Sequence, residues 1–288
     1  MMVVKPRLSV VVPVHNNGPL LPEQLDAIAA GMTRDITAEI LVVDNQSTDR
    51  SGEIAAAWAR QSGRTVRVIP AVERKGEPYA RNMGWRSAEG EYIIFCDGDD
   101  VVSSTWVGAM ARGLDRHEYV TGPLDVVLLN EPWLLTMRDR GLLDRIPTTY
   151  GGLPFAHGCN MGFRRRTLVQ LGGFDESFLT ACDVEIAVRG WRAGIVPGWE
   201  PDALVHYRLR PTLGASYRQA RAYGRSRSRI RKLLPDVVDA GAERIATARR
   251  LAWLMKHLPD TLSKAGRARW VWVAGQLEGE ARALLGIS

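Results

Sequence analysis

Across its first 130 residues the chain alternates short, almost wholly apolar runs with amphipathic stretches, and few architectures accommodate that pattern. Leu8–Val14 (LSVVVPV) and residues 39–43 (EILVV), 66–69 (VRVI) and 92–96 (YIIFC) read as strands. Helical stretches fill residues 20–30, 51–61, 77–88 and 104–114. Strands with no polar face belong inside a sheet covered on both sides, so the pattern predicts an α/β class with a mostly parallel central sheet flanked by helices. Ligands of such sheets gather beyond the carboxyl ends of the strands. Three polar clusters stand there: the turn after Pro13 and Val14, residues 44–49 (DNQSTD), and residues 97–100 (DGDD).

Past Tyr119 the pattern loosens. Residues 124–129 form another apolar run, and residues 130–157 are rich in loop signals, among them Trp133, Pro147, Gly151, Gly152 and Pro154. Residues 160–164 form a short ordered stretch, 183–193 a helix and 203–207 a strand; everything beyond Thr212 reads as helical, with breaks expected at Pro235, Pro259 and Gly266.

Composition narrows the class. Of 288 residues 45% are hydrophobic and 24% charged, enough to bury a core and too apolar for global disorder. No apolar run approaches the ~18 residues that cross a bilayer, and residues 1–6 are too short for a charged signal region, so the expectation is a soluble cytoplasmic protein. Cys96, Cys159 and Cys182 are an odd number at no ligand-like spacing, which argues against disulfides and structural zinc.

The net charge of +6 hides an asymmetry: residues 208–269 hold 16 Lys/Arg against 4 Asp/Glu. Arg218, Arg221, Arg225 and Arg229 share one helical face, where like charges repel. A solvated helix face is one explanation; the other is an anionic partner, either phosphate-rich or an anionic membrane surface at its inner face, met by Trp253, Trp270 and Trp272 with their neighbouring cations. A homo-oligomer contact is a further use for those tryptophans. Nucleic acid is not expected, because no nucleic-acid-reading motif accompanies the charge.

Several residues suit chemistry at the strand ends. Asp97 and Asp99, separated only by Gly98, can approach a hard divalent cation such as Mg2+ or Mn2+ that keeps open positions for phosphate oxygens; a capped turn would look the same. Asp44 and Asn45 can hydrogen-bond a nucleoside or form an Asx turn. Arg81 follows the Lys75-Gly76 step on a helix and can meet a diphosphate or those carboxylates, or simply lie exposed. Asp183 opens a helix, where a carboxylate is favoured electrostatically, and is also placed to act as a general base. Glu185 and Arg189 form a helical i,i+4 pair, and His206 sits on an otherwise apolar strand. The turn after the first strand lacks the basic glycine-rich loop of a sugar nucleotidyltransferase, and no G-x-G-x-x-G marks a dinucleotide oxidoreductase. A catalytically inactive sugar- or nucleotide-binding module would be expected to have lost Asp97, Asp99 and Asp183, which are all present.

In this order, Leu8–Val14, residues 42–49 (VVDNQSTD), Gly76 with Ala80-Arg81-Asn82, residues 97–100, 160–165 (NMGFRR), 172–176 (GGFDE), Asp183 with Glu185 and Arg189, and His206 resemble glycosyltransferase family 2 over residues 8–208. The resemblance implies a GT-A fold, Rossmann-like with a helical C-terminal extension, divided into a nucleotide-sugar-binding half (1–125), an acceptor-binding half (126–210) and a basic helical extension (211–288). It implies an inverting enzyme that moves a sugar from a nucleotide-diphosphate donor, UDP before GDP or dTDP, to an acceptor hydroxyl or other nucleophile on a glycan, lipid-linked glycan, peptide or small natural product. In that reading Pro13, Val14, Asp44, Asn45, Gly76, Arg81, Asp97 and Gly98 bind the nucleotide sugar, Asp99 and His206 hold the cation, and Asp183 is the base. Two positions depart from the family pattern: Asn45, where many members carry a second Asp, and Cys182, where Glu commonly precedes the base.

Overall fold

The computed structural model describes residues 6–33, 36–137 and 142–287, so all but Pro6 of the N-terminal segment considered above, and residues 138–141 of the loop-rich region, lie outside it. The elements run, in chain order, β1 (Leu8–Val14), α1 (Leu21–Gly31), β2 (Ala38–Asp44), α2 (Ser51–Ser62), β3 (Val66–Pro70), α3 (Glu77–Ser87), β4 (Tyr92–Phe95), β5 (Val101–Val102), α4 (Trp106–Arg116), β6 (Tyr119–Thr121), β7 (Leu124–Asp125), β8 (Leu142–Leu143), β9 (Met161–Arg164), α5 (Arg165–Leu171), α6 (Cys182–Arg192), β10 (Gly198–Trp199), β11 (Val205–His206), α7 (Leu213–Leu233), α8 (Ala240–Lys256) and α9 (Lys264–Leu285), with 3-10 turns at Leu134–Met137, Tyr150–Gly152 and Pro259–Leu262. They form two compact units. The first comprises Met1–Asp125, Asp144–Pro147 and Pro154–Tyr207, and the second Val126–Leu143, Thr148–Leu153 and Arg208–Ser288.

In the first unit the main sheet has the strand order β10-β6-β9-β4-β1-β2-β3. β3, β2, β1 and β4 are parallel, as the continuous apolar runs predict, and every residue of β1 is buried. β9 runs antiparallel between β4 and β6, so the sheet is mostly rather than wholly parallel. Burying side chains such as Val11, Ile40, Val43 and Phe95 contributes about 1.5–3 kcal/mol each. Phe163 on β9 stacks on Tyr119 with centroids 4.2 Å apart, and Phe95 meets Phe174 edge to face at 5.3 Å.

The register places the polar clusters on one edge. Val14 pairs with Asp44 across β1 and β2, and Val11 with Phe95 across β1 and β4, so three parallel strands deliver their carboxyl ends side by side. A smaller sheet in this unit sets β11 between β5 and β7, with His206 opposite Val101 and Asp125. The apolar run at 124–129 is a strand only over Leu124–Asp125; Val127 and Leu128 are exposed. The 203–207 strand likewise shrinks to two residues.

In the second unit α7 and α9 lie against each other, packed around Ala220, Ile230, Ala268 and Trp272. A Cβ on Gly224 would stand 2.1 Å from the Gln276 carbonyl oxygen, and one on Gly279 2.0 Å from that of Arg221. Only glycine permits this approach. Of the repelling arginines of α7, Arg221 lies 3.7 Å from Glu278; elsewhere on the helix Arg227 and Arg231 lie 3.7 and 3.5 Å from Glu243. Arg250 grips Glu280 through two hydrogen bonds of 2.8 and 2.7 Å. Gly266 does not break the chain as expected. It lies in the first turn of α9, and its N–H donates to the capping Ser263 hydroxyl at 2.9 Å. No helix among the described residues is long and apolar enough to cross a membrane.

Gly279→Ala should therefore force α7 and α9 apart. The expected cost is about 1–3 kcal/mol, despite the better helix propensity of alanine, read as a lowered midpoint in urea denaturation.

Candidate active site

The β4 strand runs into the Asp97–Asp100 turn, and a side chain absent from any motif holds that turn in place. Gln24 on α1 is fully buried; its amide donates to the Asp97 carbonyl at 2.9 Å and its oxygen accepts from Val102 N–H at 3.0 Å. One carboxamide thus clamps both ends of the loop. Gly98 fits because a Cβ there would meet Val14 Cγ1 at 2.8 Å, which brings two of the expected nucleotide-side residues into contact. Asp99 is 8% exposed and Asp100 1%.

The carboxylates of Asp97 and Asp100 and the Cys159 sulfur offer ligand atoms all within 4.8 Å of one another. Burial pushes the Cys159 thiol well above its ordinary range, and Asp100 and Asp97 push it the same way, so it stays protonated and is a poor ligand for a hard cation. His206 pairs with Val101, which follows Asp99 by two residues in the chain, and it does not belong to the cluster of Asp97, Asp100 and Cys159. Its Nδ1 lies 2.7 Å from the Asp125 carboxylate. That carboxylate accepts from Nδ1–H and fixes the orientation of the ring. Asp97 and Asp100 supply hard oxygen atoms of the kind a divalent cation takes.

Arg81 occupies the centre of the site. It is 1% exposed, so it stands behind Asp97 rather than facing solvent. Its guanidinium pairs with Asp97 at 3.2 Å and with Glu77 one turn earlier, and Nη1 donates to the Cys182 sulfur at 3.1 Å. Burial lowers its proton affinity, but Glu77, Cys182, Asp97 and Asp183 together more than offset this, and the group is raised above its ordinary value. Gly158 lets the guanidinium pass, since a Cβ there would sit 2.6 Å from Nη2.

Asp183 lies in the first turn of α6, next to Cys182 and after Ala181, whose φ of +59° places a non-glycine residue in the left-handed region. Gly158 N–H donates to one Asp183 oxygen at 3.0 Å and Val184 N–H to the other at 2.9 Å. Burial pushes this carboxyl above the usual aspartate range, and Arg81 with the two N–H groups pulls it only part of the way back. Glu185 and Arg189 form the i,i+4 pair read from the sequence, and Arg189 also donates to the Gly173 carbonyl at 2.8 Å. They brace α6 against the 172–176 segment.

The residues expected on the nucleoside side are organised around Asn45. Its amide nitrogen donates to the Ala71 and Arg74 carbonyls, both at 2.7 Å, and its oxygen accepts from Gly76 N–H at 2.7 Å. The Asn45 side chain is thus committed to the 71–76 loop. An aspartate could not make the two donations. Gly76 has φ +136°, and a Cβ there would meet Leu179 at 2.7 Å. Asp44 accepts from Ser47 N–H at 3.0 Å, with its other oxygen against Gly52 in the first turn of α2. Pro13 pairs with Val43 in the β1–β2 register.

Gln24, Asp125 and Gly158 carry no motif and were not singled out from sequence, and Asn160 was read only as part of the 160–165 motif. Asn160 is fully buried and ties Trp106, Pro123 and Ala203 together. Of these, only Asn160 offered a signal, as the polar residue opening the 160–165 motif.

With this geometry in view, comparison with known proteins is specific. The family model "Glycosyl transferase family 2" matches residues 9–172, and "Glycosyl transferase family group 2" matches residues 92–276. Among curated relatives, glycosyltransferase GlyG of Streptococcus pneumoniae is 42% identical over 123 residues, 43% of this chain and 38% of that protein. The uncharacterized glycosyltransferase EpsJ of Bacillus subtilis is 37% identical over 122 residues, 42% of this chain and 33% of the other. The chain thus spans well under half the length of these relatives. A mannosyltransferase, PcManGT from Pyrobaculum calidifontis, solved with GDP-Man and Mn2+, superposes with TM-score 0.65 at 21% identity, covering 99% of this chain and 89% of that one. S. aureus TarS, solved with UDP-GlcNAc, gives 0.55 at 16%, covering 98% and 92%. The fold is GT-A, a mixed α/β domain with a mostly parallel sheet and a helical C-terminal region.

Removing the Gln24 clamp tests how much the turn depends on it. Gln24→Ala removes the hydrogen bonds to the buried Val102 N–H and to the Asp97 carbonyl. Chemical denaturation should show a loss of about 3 kcal/mol, at ~1–3 kcal/mol per lost buried hydrogen bond.

Proposed function

This chain belongs to glycosyl transferase family 2, and from that premise we propose that it transfers a sugar from a nucleotide-diphosphate donor to an acceptor nucleophile with inversion at the anomeric carbon. The observation that carries the reading is the single buried guanidinium of Arg81, which pairs with Asp97 at the end of β4 and lies within the electrostatic reach of Asp183 at the start of α6. Asp97 and Asp183, the donor-side carboxylate and the base of this reading, thereby share one cation.

The roles follow from position. Val14, Gly98 and Asp44 border the nucleoside, and Asn45 with Gly76 holds the loop that closes its far side. Asp97 contacts the donor, with Arg81 behind it. Asp99 and His206 hold a divalent cation, Mg2+ or Mn2+, whose chemistry is to offset the charge that builds on the departing diphosphate. Asp183, kept basic by burial, takes the proton from the acceptor as that group attacks opposite the leaving diphosphate. Its two backbone N–H partners fix the carboxylate orientation. The donor is UDP-linked as the first choice, with GDP next. Structural relatives solved with UDP-GlcNAc and with GDP-Man support that range. The acceptor is a hydroxyl-bearing molecule, glycan or otherwise.

Isothermal titration with UDP and GDP, with and without Mn2+, tests the donor half; absence of metal-dependent binding to either would contradict it. Asp99→Asn should weaken that binding at least about tenfold. Asp183→Asn should lower turnover about 10^2–10^4-fold while leaving donor affinity within about twofold, the magnitude of a lost general base. Near-normal turnover would remove Asp183 from that role.

The raised Asp183 carboxyl also predicts the pH profile. Protonation silences the base at a higher pH than for an ordinary aspartate, so the acid limb of kcat/KM should fall above pH ~4. Because folding raises this group, its charged form opposes stability, and its contribution is most favourable at low pH. Asp183→Asn should therefore melt no lower than the parent at neutral pH, and a large drop in melting temperature would contradict the assigned burial.

A further inference from the structure

We propose that the outward face of α8 and the 3-10 turn after it is a docking surface for an anionic phospholipid bilayer. α8 is 17 residues long and buries none of them. Leu251 and Met255 lie about one turn apart on α8, and Leu258 caps and Leu262 ends the 3-10 turn that follows it. They are 52%, 76%, 53% and 87% exposed, and Ile245, one and a half turns earlier, is 55% exposed. Isolated exposed leucines are ordinary, but five large aliphatic side chains along one short segment form a patch that calls for a partner.

Charge identifies the partner. Arg244, Arg249 and Lys256 are exposed among these residues, while Lys264 further on pairs with Glu131 at 3.5 Å. From Arg244 to Leu277 the chain holds seven Lys/Arg and a single carboxylate, Asp260. The nearby acids are committed inward, Glu243 toward Arg227 and Arg231 and Glu280 toward Arg250. Aliphatic side chains interleaved with cations are what a helix lying in a headgroup layer presents: the hydrocarbon enters the acyl boundary while arginine and lysine reach back to lipid phosphates.

The tryptophans marked in the sequence for this role are turned elsewhere. Trp272 is 9% exposed and meets Tyr223 edge to face, Trp270 donates its indole N–H to the Leu254 carbonyl at 3.0 Å, and Trp253 stacks on His257 at 4.3 Å. The surface is therefore aliphatic and basic. A second copy seated on it by twofold symmetry would bring Arg249 and Lys256 against their own counterparts, which like charge disfavours. A fluid anionic surface needs no groove of fixed shape, and the outer side of a single helix supplies none.

The test uses the full chain and flotation with vesicles of phosphatidylglycerol mixed with phosphatidylcholine, against phosphatidylcholine alone. The expected result is binding to the anionic vesicles at low salt, weakened at high salt and much reduced on neutral vesicles. Arg249→Ala with Lys256→Ala should lower partitioning about 25-fold, at about fivefold per cation near an anionic leaflet. Leu251→Ser with Met255→Ser should lower it at least about tenfold while keeping the salt response. Both pairs are exposed, so melting temperature and nucleotide titration should match the parent; this separates the surface from the transfer reading, which it does not require. No binding to anionic vesicles at low salt would overturn the proposal, as would binding indifferent to both pairs. Sedimentation showing a dimer that Leu251→Ser with Met255→Ser dissolves, without vesicle binding, would reassign the face to a second copy and overturn it as well.

Discussion

The first unit is organised around a buried positive charge. Arg81 is almost wholly shielded from water, and an unpaired guanidinium in that position would be strongly destabilising. Its neighbours are arranged to prevent this: Glu77 one turn back on α3, Asp97 beyond β4, the Cys182 sulfur on α6, and the field of Asp183. Gly158 is bare so that the guanidinium can lie against the backbone, and the same residue's N–H orients Asp183. Three segments far apart in the chain therefore have to meet at one cation. The proposed donor and base carboxylates are held together by an interaction that is structural in origin.

A second layer of uncharged amides stiffens this arrangement. Gln24 closes the 97–102 loop, Asn45 the 71–76 loop, Asn82 joins α3 to Phe174 through hydrogen bonds of 2.8 and 2.9 Å, and Asn160 gathers α4 with the segments before β7 and β11. Each carboxamide is buried and presents both a donor and an acceptor, so each can bridge two backbone segments where a carboxylate could only accept. This accounts for Asn45 where a second aspartate is familiar: in this chain the position has two carbonyls to satisfy.

The long elements were legible in the sequence because their information is local. Leu8–Val14 has the observed bounds of β1, and α1 to α4 lie within two residues of the stretches read from apolar periodicity. The two-residue strands β5 and β8 were missed, as were β6, β10 and α5. β6 and β10 are three and two residues long and exist through pairing with partners about 40 to 80 residues away. α5 directly follows β9 with no linker signal between them. The candidate carboxylates were visible because they end strands or open a helix. Gln24, Asp125 and Gly158 act through contacts 25 to 81 residues away and leave no local trace. In the second unit the repelling arginines of α7 looked as if they required an outside anion. Glu278, from a later helix, supplies part of it at Arg221, which no window on α7 could reveal.

Cys182 is where these constraints meet. In the family pattern a glutamate commonly precedes the proposed base. In this chain burial keeps the Cys182 thiol protonated despite Arg81, so it accepts one weak hydrogen bond and brings no charge. The missing negative charge has a counterpart in Glu77, which pairs with Arg81 from the turn below and is half-exposed, with a smaller desolvation cost than a carboxylate at 182 would carry. A glutamate at 182 would also sit next to Asp183 and raise it further by like-charge repulsion. With a neutral thiol there, the elevation of Asp183 comes from burial first, tempered by Arg81 and two backbone N–H groups. The basicity of the proposed base is thus set by how dry its pocket is, so its proton affinity should respond directly to whatever molecule enters and displaces water beside it.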